Sequence, residues 1–351
     1  MVRMADIIKR KVGKKAKQIE VITSMKAEEA KPKVQIMADK EPVKEREEES
    51  KVDKKSSEQI YEEALALIRA ELKRAQKVKP IRTKKVIDTV KKIVERIILD
   101  DRILINLTNR STSDNYLLAH SVNVCILAIN VGLALGYSRL ELTELGTGAF
   151  LHDIGIAQML EIAQRPRKLT EHEYEEVKKH PVYGAKILEN AEDMIEAVVK
   201  TVYQHHERIN GQGYPKGLKK KEIHPYAQIV GLVDAYEALS HPRSYRRIPY
   251  KAIKEIIDSS GEVFDPKLVK ALINQVSIYP QGSWVRLSTG EIGKVTEINK
   301  NFPTRPKVSI VFGSDGSELA QVKSIDLKGH PTLYIKEAIA EDKLGLESAS
   351  K

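Results

Sequence analysis

Residues 116–137, YLLAHSVNVCILAINVGLALGY, decide the fold class. Their apolar groups recur at helical spacing and Gly136 ends the run, so the stretch reads as a strong helix. The same periodicity extends on both sides. Upstream, IYEEALALIRAELKRAQ (60–76) repeats apolar groups at three and four, and Pro80 punctuates before VIDTVKKIVERIILD (86–100). Downstream come LELTELGTGAFLHDIG (140–155), HEYEEVKKHPVYGAKILEN (172–190), MIEAVVKTVYQHHER (194–208), YAQIVGLVDAYEALS (226–240) and YKAIKEIIDSSG (250–261). Residues 57–277 are therefore expected to be a mainly α bundle of roughly eight to ten helices.

The texture changes near Tyr279. YPQGSWVRLSTGEIGKVTEINKNFPTRPKVSIVFGSDGSEL (279–319) alternates β-branched residues and breaks at Thr-Gly, Phe-Pro and Asp-Gly. Short strands with tight turns predict a small SH3-like β-barrel over 278–335, followed by a tail at 336–351. Its Trp284, Arg286, Lys294 and Arg305 could touch nucleic acid, but a packing or protein-interaction role is the preferred reading. Residues 1–56 mix charges of both signs with few large apolar groups, which predicts a flexible charged arm.

The chain has 351 residues, 41% hydrophobic, 5% aromatic and 31% charged, with a net charge of +10. The positive balance favours anionic partners without choosing among them. No run of about 18 apolar residues is apparent, so no membrane span is expected. One cysteine, Cys125, rules out an intrachain disulfide; it reads as a core residue, and a reducing cytoplasm is the expected compartment.

The chemistry-bearing residues of the helical part are His120, the dipeptide His152-Asp153, His180, the pair His205-His206, and Asp234. Each alone has an ordinary structural reading. Together, coming from several helices, they suggest convergence on one interior cavity. Buried imidazoles and carboxylates without partners are unfavourable, and a divalent metal removes that penalty. Imidazole plus carboxylate without thiolate suits iron, manganese, zinc or nickel. Seven candidate ligands exceed what one tetrahedral ion uses, so two ions are expected, with Asp153 bridging them. Such a pair can hold a hydroxide and clamp a phosphoryl oxygen.

LHDIG at 151–155, HPVYG at 180–184, HHERINGQGYPKGL at 205–218 and DAYEALSHPRSYR at 234–246 resemble the HD-GYP domain, a branch of the HD phosphohydrolase superfamily. The resemblance implies a helical bundle, a metal centre usually holding iron or manganese, and hydrolysis of cyclic di-GMP to pGpG and GMP through a metal-bridging hydroxide. It implies that His152, Asp153, His180, His205, His206 and Asp234 are ligands, with His120 beside the metals. Asp153 and Arg208 would be catalytic. Arg208, Gly213, Tyr214, Arg243 and Arg246 would contact the dinucleotide, Arg208 alternatively bracing the loop that Gly211, Gly213 and Pro215 shape. A signalling protein at that loop and a second copy of the chain are candidate partners.

Three positions depart from the family pattern. Ile156 stands where many members have lysine. Tyr116 occupies the place of a glutamate that helps hold a third metal, which favours two ions. Asn210 and Glu237 replace aspartates that are not recognised ligands. Rival readings are a metal-holding sensor that turns over slowly or not at all, and a phosphohydrolase acting on another nucleotide.

Overall fold

The computed structural model describes residues 56–99, 116–163, 165, 167, 169–240, 249–279, 281–299 and 302–339. Most of the expected arm lies outside the described residues. Its last residue, Ser56, belongs to the fold instead: its hydroxyl accepts from Gln59 N at 3.3 Å while Gln59 Oε1 accepts from Ser56 N at 2.8 Å. That reciprocal cap starts α1, Ser57–Gln76, by satisfying amides that have no partner inside the helix.

Helix α1 buries Ile60, Ala64, Ile68 and Leu72 along one stripe, and α2, Thr83–Ile98, buries Val86, Val90, Ile93 and Ile97. The fully buried carboxylate of Glu71 joins them, accepting from Arg82 Nε at 2.7 Å and Arg82 N at 3.1 Å. Helix α3, Tyr116–Ala134, is buried at every residue from Ala119 to Gly132. By length and composition it could cross a bilayer, which corrects the expectation that no such stretch exists. It is instead packed among α1, α2 and later helices as the central rod of the bundle.

Ser138 and Glu141 form a second capping box that opens α4, Arg139–Leu151. A 3₁₀ turn at Ile154–Met159 and the single turn α5, Leu160–Ala163, lead to α6, Glu171–Val177. Then follow α7, His180–Glu189, α8, Glu196–Gln204, and α9, Pro225–Ser240. Helices α10, Pro249–Asp258, and α11, Pro266–Val276, complete the helical part. Helices α4, α8 and α9 pack on one another, and the 3₁₀ turn lies against α1 and α7. This brings the C-terminal ends of α4 and α8, the start of α7 and the middle of α9 to one place.

The C-terminal sheet is antiparallel with strand order β4-β3-β2-β1-β5. The strands are β1 (Trp284–Leu287), β2 (Ile292–Glu297), β3 (Lys307–Phe312), β4 (Glu318–Asp326) and β5 (Ile335–Ile339). Register breaks between Arg286 and Leu287 and between Ile310 and Phe312 bend the strands around a separate core of Val285, Leu287, Val295, Val308 and Ile310. The predicted domain end at 335 is too early: β5 continues to Ile339 beside β1, with Ile335 and Ile339 turned inward.

The groups considered for nucleic acid are engaged within this domain. Arg305 donates to the carbonyls of Leu327, His330, Leu333 and Pro331, and Arg286 Nε pairs with Glu337 at 2.9 Å. Lys294 lies 5.5 Å from the centre of the Trp284 ring.

Candidate metal centre

Three histidines owe their orientation to helix ends. The last carbonyls of a helix lack intrahelical partners. His152 follows α4 and His205 follows α8, and each directs Nδ1 to the carbonyl three residues earlier, Ala149 O and Val202 O, both at 2.8 Å. His180 opens α7, and its Nδ1 lies 2.8 Å from the terminal carbonyl of α6, Val177 O. A carbonyl can only accept, so Nδ1 carries a proton in all three, and in the neutral imidazole Nε2 then presents a bare lone pair.

Those lone pairs converge. His180 Nε2 is 3.2 Å from His205 Nε2 and 3.1 Å from His206 Nε2, and His152 Nε2 is 3.3 Å from His120 Nε2. Asp153 lies between the two sets, with Oδ1 3.2 Å from His180 Nε2 and Oδ2 3.5 Å from His152 Nε2. Asp234, from α9, places Oδ1 3.1 Å from His120 Nε2. All seven residues are buried.

Two donor groups result. Asp153, His180, His205 and His206 form one, and His120, His152 and Asp153 the other. Asp153 is common to both. Facing Nε2 atoms without protons repel one another, and His206 Nδ1 and Asp234 Oδ2 are buried with no hydrogen-bond partner. Divalent cations among these lone pairs turn repulsion into ligation, so the residues fit a metal centre of imidazole and carboxylate type.

The electrostatics of His205, His206 and Asp153 agree with that donor set, whereas at His120 burial is outweighed by Glu237 and Asp234, which hold it well above the usual histidine range. Burial, reinforced by the neighbouring imidazoles of His152 and His180, holds His205 well below the usual histidine range, so its imidazole is neutral. Burial and His205 do the same for His206. Burial opposes a charge on Asp153, yet His152, His180 and His120 hold its carboxyl far below the usual carboxylate range.

The GYP loop packs directly on this centre. The Tyr214 ring stacks on His206, centroids 4.6 Å apart and planes 25° off parallel. Gly211 has φ +76°, which favours glycine. Gly213 is required for another reason: a Cβ there would sit 2.5 Å from His206 O. The Arg208 side chain is buried, and Nη1 donates to His205 O at 2.9 Å and Glu207 O at 2.8 Å. Arg243 and Arg246 lie outside the described residues.

Sequence reasoning assigned no role to three groups that the structure places here. Glu207 is buried and accepts from Lys216 N at 2.6 Å and Leu218 N at 2.8 Å, closing the loop across its base. Lys178 Nζ is 5.4 Å from the Tyr214 ring centre. Glu237 lies one turn beyond Asp234 on α9 and contacts His120 Nδ1. Its spacing of three from Asp234 was the available signal, because residues three apart share a helix face.

Comparison with known proteins agrees with the architecture. A family model described as "HD domain" matches residues 82–268, and one described as "KOW domain associated with HD domain" matches residues 284–346. The chain belongs to the HD domain family. It is similar to a protein named cyclic di-GMP phosphodiesterase from Pseudomonas aeruginosa, 33% identical over 243 residues, covering 68% of this chain and 58% of that protein. It is also similar to the cyclic di-GMP phosphodiesterase PdeB of Borreliella burgdorferi, 31% identical over 220 residues, covering 61% of this chain and 58% of that protein. The chain thus spans little more than half the length of these relatives. Among solved structures, Bd1817, an HDG"Y"P protein from Bdellovibrio bacteriovorus, matches with a TM-score of 0.53 and 23% identity over 62% of this chain and 70% of that one, a likeness of fold.

Proposed function

We propose that the chain is a phosphodiesterase that hydrolyses cyclic di-GMP to pGpG and GMP and holds two divalent ions, iron or manganese. The observation that carries this reading is the convergence of proton-free Nε2 atoms from His152, His180 and His205 on a shared carboxylate, Asp153. The substrate is inferred from the cyclic di-GMP phosphodiesterases that the chain is similar to. Bound there, the ions would supply water activation and charge neutralisation for phosphoryl transfer.

The chain's own groups prepare the reaction. His152, His180, His205, His206, Asp153 and Asp234 would hold the ions, with His120 on the His152 side. Tyr214, fixed on His206, walls the site and offers an aromatic edge to the dinucleotide. Arg208 keeps the loop seated and, lying near Asp234, contributes positive charge behind it. Arg243 and Arg246 are assigned to the substrate phosphates, since a planar guanidinium matches phosphate oxygens. The GYP loop is the proposed contact for a signalling partner or a second copy. The cytoplasm suits a chain whose single cysteine is buried.

One observation favours a second reading. Ile156 is buried at 1% exposure within the 3₁₀ turn, so that position brings no cation to the site. A sensor that binds metals and dinucleotide but turns over slowly fits this feature. Incubation of the protein with Mn(II) and cyclic di-GMP, followed by chromatography, separates the two. Formation of pGpG and GMP supports the hydrolase; tight binding without product supports the sensor.

A further inference from the structure

His152, His180 and His205 are oriented by carbonyls at helix ends, but His120 has no such support. It lies within α3, where the neighbouring carbonyls are engaged by the helix itself. Its Nδ1 instead meets Glu237 Oε2 from α9. Resting on the metal reading above, we propose that Glu237 is a positioning residue. It holds His120 with the proton on Nδ1 and turns Nε2 toward Asp234, His152 and Asp153 as a ligand for the ion on the His152 side.

The surroundings of Glu237 are built for this task. The side chain is fully buried, and an ionised carboxylate can only accept. Besides His120, Asn123 Nδ2 donates to Oε1 at 2.9 Å and the Tyr116 hydroxyl reaches Oε2 at 3.4 Å. Because the carboxylate requires the NH₂ end of Asn123, the amide oxygen faces outward, where the Tyr61 hydroxyl of α1 donates at 2.9 Å. All three groups that reach the carboxylate come from α3, and one of them, Asn123, is anchored from α1. Opposite, His120 Nε2 stands 3.1 Å from Asp234 Oδ1, 3.3 Å from His152 Nε2 and 3.8 Å from Asp153 Oδ2. A carboxylate behind a ligating imidazole fixes its tautomer and ring plane and strengthens its basicity. Tyr116 brings no carboxylate to this corner, and the longer arm of glutamate at 237 brings one from α9.

The test is titration of the metal-free full chain with Mn(II), reading free Mn(II) by electron paramagnetic resonance. Glu237→Gln, which keeps shape and removes charge, is expected to weaken one of two sites roughly 10–100-fold and leave the other unchanged. His120→Ala should weaken the same site. The double variant should be no weaker than His120→Ala alone, because Glu237 acts through His120. An unaltered Glu237→Gln titration, or effects that add in full, would overturn the proposal. A wild-type chain that binds no Mn(II) would overturn the metal reading beneath it, a different failure. Should Glu237→Gln not fold, ¹⁵N-histidine resonances of the zinc-loaded wild-type chain decide. A proton on Nδ1 and metal on Nε2 of His120 is expected, and a proton on Nε2 refutes the role.

Discussion

Gly155 is where the metal centre is most sensitive to a single added methyl group. It follows Asp153 by two residues and presses the 3₁₀ turn against the start of α7, which carries His180. A Cβ at Gly155 would overlap His180 O and sit 2.5 Å from Gly184 N, all backbone atoms that cannot rotate aside. Restoring ordinary contact requires the turn and α7 to separate by about 1.5 Å, since non-bonded heavy atoms rest near 3.5 Å. Asp153 Oδ1 and His180 Nε2 are 3.2 Å apart across that seam. Ligand constellations tolerate displacements of only about 0.5 Å. We therefore expect Gly155→Ala to cost about 1–3 kcal/mol in stability through overpacking. A tenfold or greater fall in Mn(II) affinity should accompany it, tenfold being about 1.4 kcal/mol. Gly329→Ala, where a Cβ meets nothing within 4 Å, is the matched control. Thermal melts with and without Mn(II), combined with metal titration, read both effects. A Gly155→Ala protein that melts with the control and binds Mn(II) like wild type would refute the packing argument.

Other outcomes follow from particular contacts. Asp153→Ala removes the carboxylate common to both donor groups, so elemental analysis should find no retained metal; full occupancy contradicts that assignment. Glu207→Ala leaves the amides of Lys216 and Leu218 without their acceptor. Each lost bond to a charged group is worth about 1.5–3 kcal/mol, so proteolytic cleavage in 209–217 should accelerate, and an unchanged digestion pattern would count against loop closure by Glu207. Asp265 caps α11 by accepting from Lys267 N at 2.8 Å. Burial opposes its ionisation, but Lys220 and the Lys267 amide hold its carboxyl below the usual range. A depressed folded-state value means that its contribution is present above the unfolded value, about 3.9, and is lost as pH falls through the folded one. Asp265→Ala should therefore be less stable than wild type by about 1 kcal/mol near neutrality. The gap should close below about pH 4, and a gap that persists in acid refutes the assignment.

The helices were legible because their apolar periodicity is explicit, as at Ile60, Ala64, Ile68 and Leu72. The histidines and aspartates stood out because imidazole beside carboxylate on several helices is chemically unusual. What escaped depends on geometry that spacing does not encode. The carbonyl anchors of His152, His180 and His205 exist only because helices end there in three dimensions. Glu207 closes a loop through amides nine and eleven residues away, and no local pattern marks that. Glu237 faces His120 across two helices 117 residues apart in sequence, so only tertiary packing reveals the pair. The strand β5 was mistaken for tail because five residues, IKEAI, carry too little alternation to outweigh the charged context.

Equilibrium titration of the metal-free chain with Mn(II) under anaerobic conditions, with element identification on the loaded protein, tests the central claim most directly. The arrangement of His120, His152, Asp153, His180, His205, His206 and Asp234 predicts two equivalents bound per chain. A chain that binds no Mn(II) and no iron would contradict it, and the converging imidazoles would then need another explanation.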